Sequence, residues 1–269
     1  MPDSTQLLTR SGLDLDLAVF LAEASDMAYK PSIIVKAWII ANGLGAHSSC
    51  FDRENIQGYW CSNGEVALLA FRGTSNPGQW IRDLRILPVS HPWGSVHAGF
   101  RSGIDIAELD LTAFEAVAKT AKHVWITGHS LGGALAVMAA ARMKIHGIDT
   151  SLYTYGQPRV GLGNFAQYFL SQLPENLIRF VNQSDIVPRV PPGLIYRHFG
   201  TVKHIVPGAL EGIDSMLDDE ELPPLSEEEF AVLQESLNQP GVESFEGSLP
   251  WISDHSITEY VRLLTDIRG

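Results

Sequence analysis

Residues 123–141 read HVWITGHSLGGALAVMAAA. The stretch carries no formal charge and is long enough to pass for a membrane span on hydropathy alone. Thr127, His129, Ser130 and four glycine or serine breaks argue instead for a buried strand followed by a buried helix. His123 to Thr127 is β-rich, and the alanine-rich run Leu131 to Ile145 is helical and closed by Gly147. Between them Gly128-His129-Ser130-Leu131-Gly132 fits G-x-S-x-G. A serine at a sharp strand-to-helix turn presents its hydroxyl, and only glycines tolerate the backbone crowding on either side. The helix that starts at Leu131 aims its positive end at the place where negative charge would develop.

A nucleophilic serine needs a base and an orienting acid, in the chain order Ser, Asp, His that such a sheet imposes. Asp185 follows the strand read over Leu177 to Val181 and should lie at the same carboxyl-terminal sheet edge as Ser130. Asp149 precedes its strand and should lie at the opposite edge. Of the histidines beyond Asp185, His255 sits in a loop before the final helix, from which an imidazole can reach a distant serine. His198 and His204 lie on or beside a short strand and read as structural. An oxyanion hole needs two backbone N–H groups. Leu131, after the serine, supplies one, and Thr74, in the loop after the strand Val66 to Phe71, supplies the other, with its hydroxyl available for a third bond.

Leu13 to Tyr29 has apolar residues at helical spacing. Ile33 to Ala41 reads as a strand, Ile56 to Cys61 and Val66 to Phe71 as a hairpin around Ser62-Asn63-Gly64, and Ile104 to Ala121 as one helix. A short helix capped by Asn76, with Pro77 in its first turn, carries Trp80, Ile81 and Leu84. Strand Ser151 to Tyr155, helix Asn164 to Gln172, strand Leu177 to Val181 and helix Ser256 to Ile267 follow. Strands alternating with helices imply α/β architecture, a mostly parallel sheet with helices on both faces. Neither a repeat nor a linker divides residues 1–269, so a single domain is expected. Gly161-Leu162-Gly163-Asn164-Phe165-Ala166 fits a dinucleotide pattern, but Gly156 to Val160 intervene where a tight turn should follow the strand. Cys50 and Cys61 could pair or remain thiols.

The formal net charge of the 269-residue chain is −12. Such a balance lacks the basic footprint that nucleic acid requires, so no nucleic-acid partner is expected. Twelve of the acids fall within residues 207–250, which hold no Lys or Arg; the remainder is balanced. Within that segment Ser226-Glu227-Glu228-Glu229 forms a capping box, opening a helix with Phe230, Leu233 and Leu237 along one face. That face is expected to lie over the catalytic mouth as a second wall of an acyl pocket, against the simpler reading of a solvated excursion. Asp218-Asp219-Glu220-Glu221 lacks the glycine and alternating ligands of a calcium loop. Asp14, Asp16 and Glu23 break up the first apolar run, so the chain as given reads as cytoplasmic or already processed and secreted.

The chain resembles the class 3, fungal-type triacylglycerol lipases of the α/β-hydrolase superfamily. The matching stretches are Ala70 to Thr74, Trp80 to Leu84, Val96 to Phe100, Ile126 to Ala136, Tyr155 to Gly161 and Asn182 to Pro192. The resemblance implies Ser130 as nucleophile, Asp185 as acid, His255 as base, Thr74 and Leu131 as oxyanion donors, and a lid over residues 75–88 holding Trp80, Ile81 and Leu84. His97 matches a family motif and is read as structural. The expected activity is carboxylic-ester hydrolysis at a lipid–water interface, rising when substrate aggregates, with no metal or organic cofactor and no transmembrane segment. A phospholipase A1, a feruloyl or other soluble-ester hydrolase, and a catalytically silent binding protein are the alternatives on the same scaffold.

Overall fold

A computed structural model describes residues 4–172, 177–182, 185–192, 195–212, 223–239 and 250–269. A short helix, α1 (Ser4–Leu7), precedes α2 (Leu15–Met27), whose first turn is capped where the Asp14 carboxylate accepts the Leu17 N–H at 2.9 Å. The strand expected over Ile33–Ala41 is instead a helix, α3 (Ser32–Ala41). Its buried pair, Val35 and Ile39, lies four residues apart, as a helical face requires. That spacing is masked in the sequence because Ile33, Ile34 and Ile40 on the outer face are apolar as well.

Strands β1 (His47–Arg53), β2 (Ile56–Ser62) and β3 (Val66–Phe71) form an antiparallel meander. It sets Cys50 opposite Tyr59 and Cys61 opposite Ser48, and both cysteines are thiols. Then come α4 (Pro77–Asp83), the two-residue strands β4 (Pro88–Val89) and β5 (Val96–His97), α5 (Ala98–Ile106) and α6 (Glu108–Ala118). The single helix expected over Ile104–Ala121 is thus divided at Ala107, which ends α5 and starts α6. Glu108 and Asp110 open α6, where acidic groups favour a new helix N-terminus.

Strand β6 (His123–His129) passes through Ser130 into α7 (Leu131–Ile145), followed by β7 (Ser151–Tyr155), β8 (Gly161–Leu162), α8 (Gly163–Gln172) and β9 (Leu177–Asn182). The chain closes with β10 (Tyr196–Arg197), β11 (Thr201–Val206), β12 (Ala209–Glu211), α9 (Glu227–Leu237), α10 (Pro250–His255) and α11 (Ile257–Arg268). The main sheet runs β1-β2-β3-β6-β7-β9-β11-β12, with β3, β6, β7, β9 and β11 parallel. Every residue of β3 is buried, as expected of a strand covered on both faces. Ala67, Leu69 and Phe71 join a core that includes Phe100, Leu111 and Leu135 from α5 to α7. Val66, Leu68 and Ala70 face the opposite core, with Leu21, Ile39 and Tyr260 from α2, α3 and α11. This is the α/β-hydrolase fold. The dinucleotide pattern dissolves here: Gly161–Leu162 belongs to a small second sheet, β10-β8-β5-β4, and α8 follows it directly.

Candidate active site

Parallel strands end together, so the loops after β3, β6, β7 and β9 meet at one edge of the sheet. Registers Phe71↔Gly128, His129↔Tyr155 and Tyr155↔Phe180 align those ends. Ser130 stands at φ 59°, ψ −131°, a conformation that costs a non-glycine residue about 1–3 kcal/mol. The neighbours hold it there. A Cβ on Gly128 would lie 2.3 Å from the Gly132 carbonyl oxygen, and one on Gly132 would lie 2.4 Å from the Phe71 carbonyl oxygen. The turn therefore depends on both glycines. The Ser130 N–H donates to the Tyr155 carbonyl at 2.9 Å, tying it to the end of β7.

His255 Nδ1 donates to Asp185 Oδ2 at 2.8 Å across 70 residues of sequence, and both side chains are fully buried. The Asp185 carboxylate is fixed by two more bonds, one of them itself supported. Val187 N–H donates to Oδ1 at 2.9 Å, the Tyr260 hydroxyl donates to Oδ2 at 2.7 Å, and that hydroxyl accepts the Asn182 N–H at 2.9 Å. His255 is the last residue of α10 rather than part of a loop. His198 is committed elsewhere: its Nε2–H donates to the Pro188 carbonyl at 2.7 Å, and burial holds its imidazole well below the usual range. Ser130 Oγ and His255 Nε2 are buried and have no hydrogen-bond partner among the described residues. Free catalytic hydrogen bonds often tighten only when substrate is bound.

Behind the pair sits His129. Burial, with His255 adding to it, pushes its imidazole well below the usual histidine range, so it is neutral. Its Nε2–H donates to the His255 carbonyl, and its Nδ1 accepts the Tyr29 hydroxyl at 2.8 Å. Tyr29 in turn accepts the Gly73 N–H at 3.1 Å. A Cβ on Gly73 would lie 2.9 Å from Ser130 Cβ, so the loop carrying Thr74 runs alongside the serine. The Thr74 hydroxyl, expected to be available, is engaged instead: it accepts the Asn76 N–H at 3.2 Å at the root of α4. Its N–H, with that of Leu131 in the unpaired first turn of α7, is what could face an oxyanion.

Asn76 caps α4 by accepting the Gln79 N–H at 2.9 Å. Ile81 and Leu84 are buried outside the two main cores, in a third cluster with Val187, Leu225, Phe230 and Leu237. Trp80 stacks on Phe100 at 6.4 Å. The acidic helix α9 is thereby laid on α4. Its capping box is formed, with Glu229 N–H donating to Ser226 Oγ at 3.1 Å and Ser226 N–H to Glu229 Oε2 at 2.7 Å. The Gln234 side-chain amide donates to the Ile81 and Arg82 carbonyls, each at 2.9 Å, and Arg82 Nη1 donates to the Leu237 carbonyl at 2.9 Å. These bonds satisfy carbonyls that a helix end leaves unpaired. His97 anchors the exit from α4, its Nε2–H donating to the Arg85 carbonyl at 2.6 Å. The Asp218 to Glu221 run lies outside the described residues.

A model of the class 3 lipase family matches residues 68–194, which hold the serine turn, the Asp185 loop and the loop after β3. Just under half of the chain matches that family. The chain is 37% identical over 164 residues to a lipase of Rhizomucor miehei, covering 56% of the chain and 45% of the relative. It is 36% identical over 138 residues to secreted mono- and diacylglycerol lipase 1 of Fusarium solani, covering 49% of the chain and 41% of that protein. The chain thus spans less than half the length of these relatives. Among solved structures, it superposes with a TM-score of 0.68 and 25% identity on a triacylglycerol lipase whose catalytic centre is described as a serine protease triad, covering 91% of this chain and 95% of that one. The triacylglyceride lipase of Rhizomucor miehei gives 0.64 at 25% identity, over 82% and 95%.

The sequence brought forward Ser130, Asp185 and His255, and the fold sets the last two in contact beside the serine turn. Tyr29, Tyr260 and Gln234 were missed. Each acts through one hydrogen-bonding group remote in sequence from its partner, and none belongs to a local pattern.

Proposed function

We propose that this protein is a class 3 lipase, a serine carboxylic-ester hydrolase acting on water-insoluble acylglycerols. The observation that carries the reading is the buried His255–Asp185 pair beside a serine held in the strained strand-to-helix turn. His255 Nε2 takes the Ser130 proton as Oγ bonds to the ester carbonyl carbon. Asp185 holds Nδ1 protonated and stabilises the imidazolium. The N–H groups of Thr74 and Leu131 receive the oxyanion. When the tetrahedral species collapses, the bond to the alcohol breaks and His255 protonates the leaving oxygen. Water then attacks the acyl-enzyme by the same route and releases the fatty acid.

The test is hydrolysis of p-nitrophenyl esters from short to long acyl chains beside emulsified triacylglycerol. The parent should hydrolyse both classes, and Ser130→Ala should lower kcat by about 10⁶, with loss of fluorophosphonate labelling. Activity that survives in Ser130→Ala would remove the assignment. Phospholipid cleavage with triacylglycerol untouched would move it to a phospholipase.

Ser130 is fully buried, so substrate needs an opening, and α4 with α9 is the cover that fits this need. Gln234→Ala removes the donor that holds the α4 carbonyls, worth about 1 kcal/mol. Short soluble esters should then be hydrolysed about fivefold faster, with a smaller gain on adding emulsion. An unchanged ratio of soluble to emulsified rates would detach α9 from gating. No helix among the described residues is long and apolar enough to cross a membrane.

A further inference from the structure

Helix α3 presents apolar side chains outward as well as inward. Val35 and Ile39 are buried, and Trp38 stacks on Phe20 at 5.3 Å and meets the edge of Tyr59 at 6.3 Å. The opposite side is exposed: Ile33 by 71%, Ile34 by 49% and Ile40 by 71%. Ala37 and Ala41 are exposed between them. Ile33, Ala37 and Ile40 lie at i, i+4 and i+7, which makes one continuous stripe along the helix. Lys36 borders it, and a lysine stem can lie along apolar surface while its ammonium stays in water.

The charge around this helix departs from that of the chain. Residues 27–51 contain no Asp or Glu but hold Lys30 and Lys36, in a protein of net charge −12; Lys30 pairs with Asp26 at 2.9 Å, so Lys36 is the cation that borders the stripe. The position is equally specific. Tyr29, just before α3, bonds to the Gly73 N–H and to His129 behind the catalytic pair. A cavity of about 530 Å³, lined by Tyr29, Ser32, Val35 and Arg72 among others, joins the start of α3 to the loop ahead of Thr74. The helix therefore begins at the sheet edge that carries the site.

A protein partner of ordinary size fits poorly here. Ten residues of helix are about 15 Å long and 10 Å wide. That footprint is far below the roughly 800 Å² per partner of a stable protein interface. A lipid surface has no such minimum, and an apolar helix stripe flanked by lysine is the pattern that lies in the plane of a lipid–water boundary.

We propose that the outer face of α3, Ile33, Ile34, Ala37 and Ile40 with Lys36, docks the enzyme on the surface of its aggregated ester, and preferentially on one bearing fatty-acid carboxylates. The inference rests on the lipase reading and adds a second contact with lipid, separate from α4. Ile33 and Ile40 enter the acyl boundary, while Lys36 meets carboxylate headgroups. Released fatty acid would then hold the enzyme at the surface where it formed.

The test separates docking from turnover. In the Ser130→Ala background, partition onto phosphatidylcholine vesicles with and without oleate is compared with that of Ile33→Gln/Ile40→Gln and Lys36→Glu. The double substitution should weaken partition by at least about tenfold on both vesicles. Lys36→Glu should weaken it only on oleate-bearing vesicles, in a salt-dependent way. In the Ser130-containing protein, hydrolysis of p-nitrophenyl butyrate should be unchanged by these substitutions while emulsion hydrolysis falls. Partition that ignores them would overturn the proposal, as would a parent dimer that dissociates on Ile33→Gln/Ile40→Gln, because the face would then join two copies. If the parent hydrolysed no ester, the lipase reading would fall on that result alone, and the vesicle measurement would still decide whether α3 binds lipid.

Discussion

Asp185→Asn should lower kcat by about 10⁴ while leaving the protein folded. The direction follows from the bonds around the carboxylate. Val187 N–H donates to Oδ1 at 2.9 Å, so the new amide keeps its oxygen there and turns its NH₂ toward His255 and Tyr260. Two donors cannot face each other, so His255 must present an unprotonated Nδ1 and carry its proton on Nε2. That nitrogen can no longer accept the Ser130 proton. Thermal unfolding and vesicle partition of the variant should stay close to the parent's, since volume is conserved. A variant that kept even a tenth of the parent kcat would place the orienting acid elsewhere.

Gly156→Ala should cost about 10² in kcat by displacing the same pair without touching its chemistry. Gly156 follows β7 at φ 57°, and a Cβ built there would lie 2.6 Å from Asp185 Oδ2 and 3.0 Å from His255 Nδ1. The first contact is shorter than side chains tolerate and the second is tight enough to push the ring aside, and the left-handed backbone costs a further 1–2 kcal/mol or so. The acid and base must shift relative to Ser130. Because binding groups are untouched, KM for soluble esters should move little. A loss confined to KM, or a variant as active as the parent, would show that the pair is not held from this side.

Much of the fold is legible because β3, β6, β7 and β9 are buried on both faces and so read as short apolar runs between helices. Edge elements read less well. β1, with the sequence HSSCFDR, is a half-exposed edge strand whose polar residues give no strand signal. α3 is misread for the opposite reason, its outer face being as apolar as its inner one. At the site, the Gly128 to Gly132 turn is local and therefore readable. The choice of His255 over His198 rests on its place just before the final helix, but its pairing with Asp185 is a contact across 70 residues that only packing creates. The Tyr260 and Tyr29 hydroxyls come from the last helix and from the turn after α2, where a tyrosine looks like any other core aromatic.

The cover proposed for the site, α4 with α9, has two roots in different parts of the chain. One is the loop after β3, and the other is the segment that leaves Asp185 and returns to His255. Its contacts reach both catalytic neighbours: Leu225 N–H donates to the Arg189 carbonyl at 3.1 Å, four residues beyond Asp185, and Trp251 of α10 packs on the cluster that binds α4 to α9. A hinged flap attached at one place can swing without disturbing what lies beneath it. Here one attachment lies close in sequence to Asp185 and to His255, so on the proposed reading a change at the α4–α9 contact, far from any reacting atom, should also be felt by the pair assigned to move the proton. Substitutions there should therefore be sorted by their effect on turnover as well as on access.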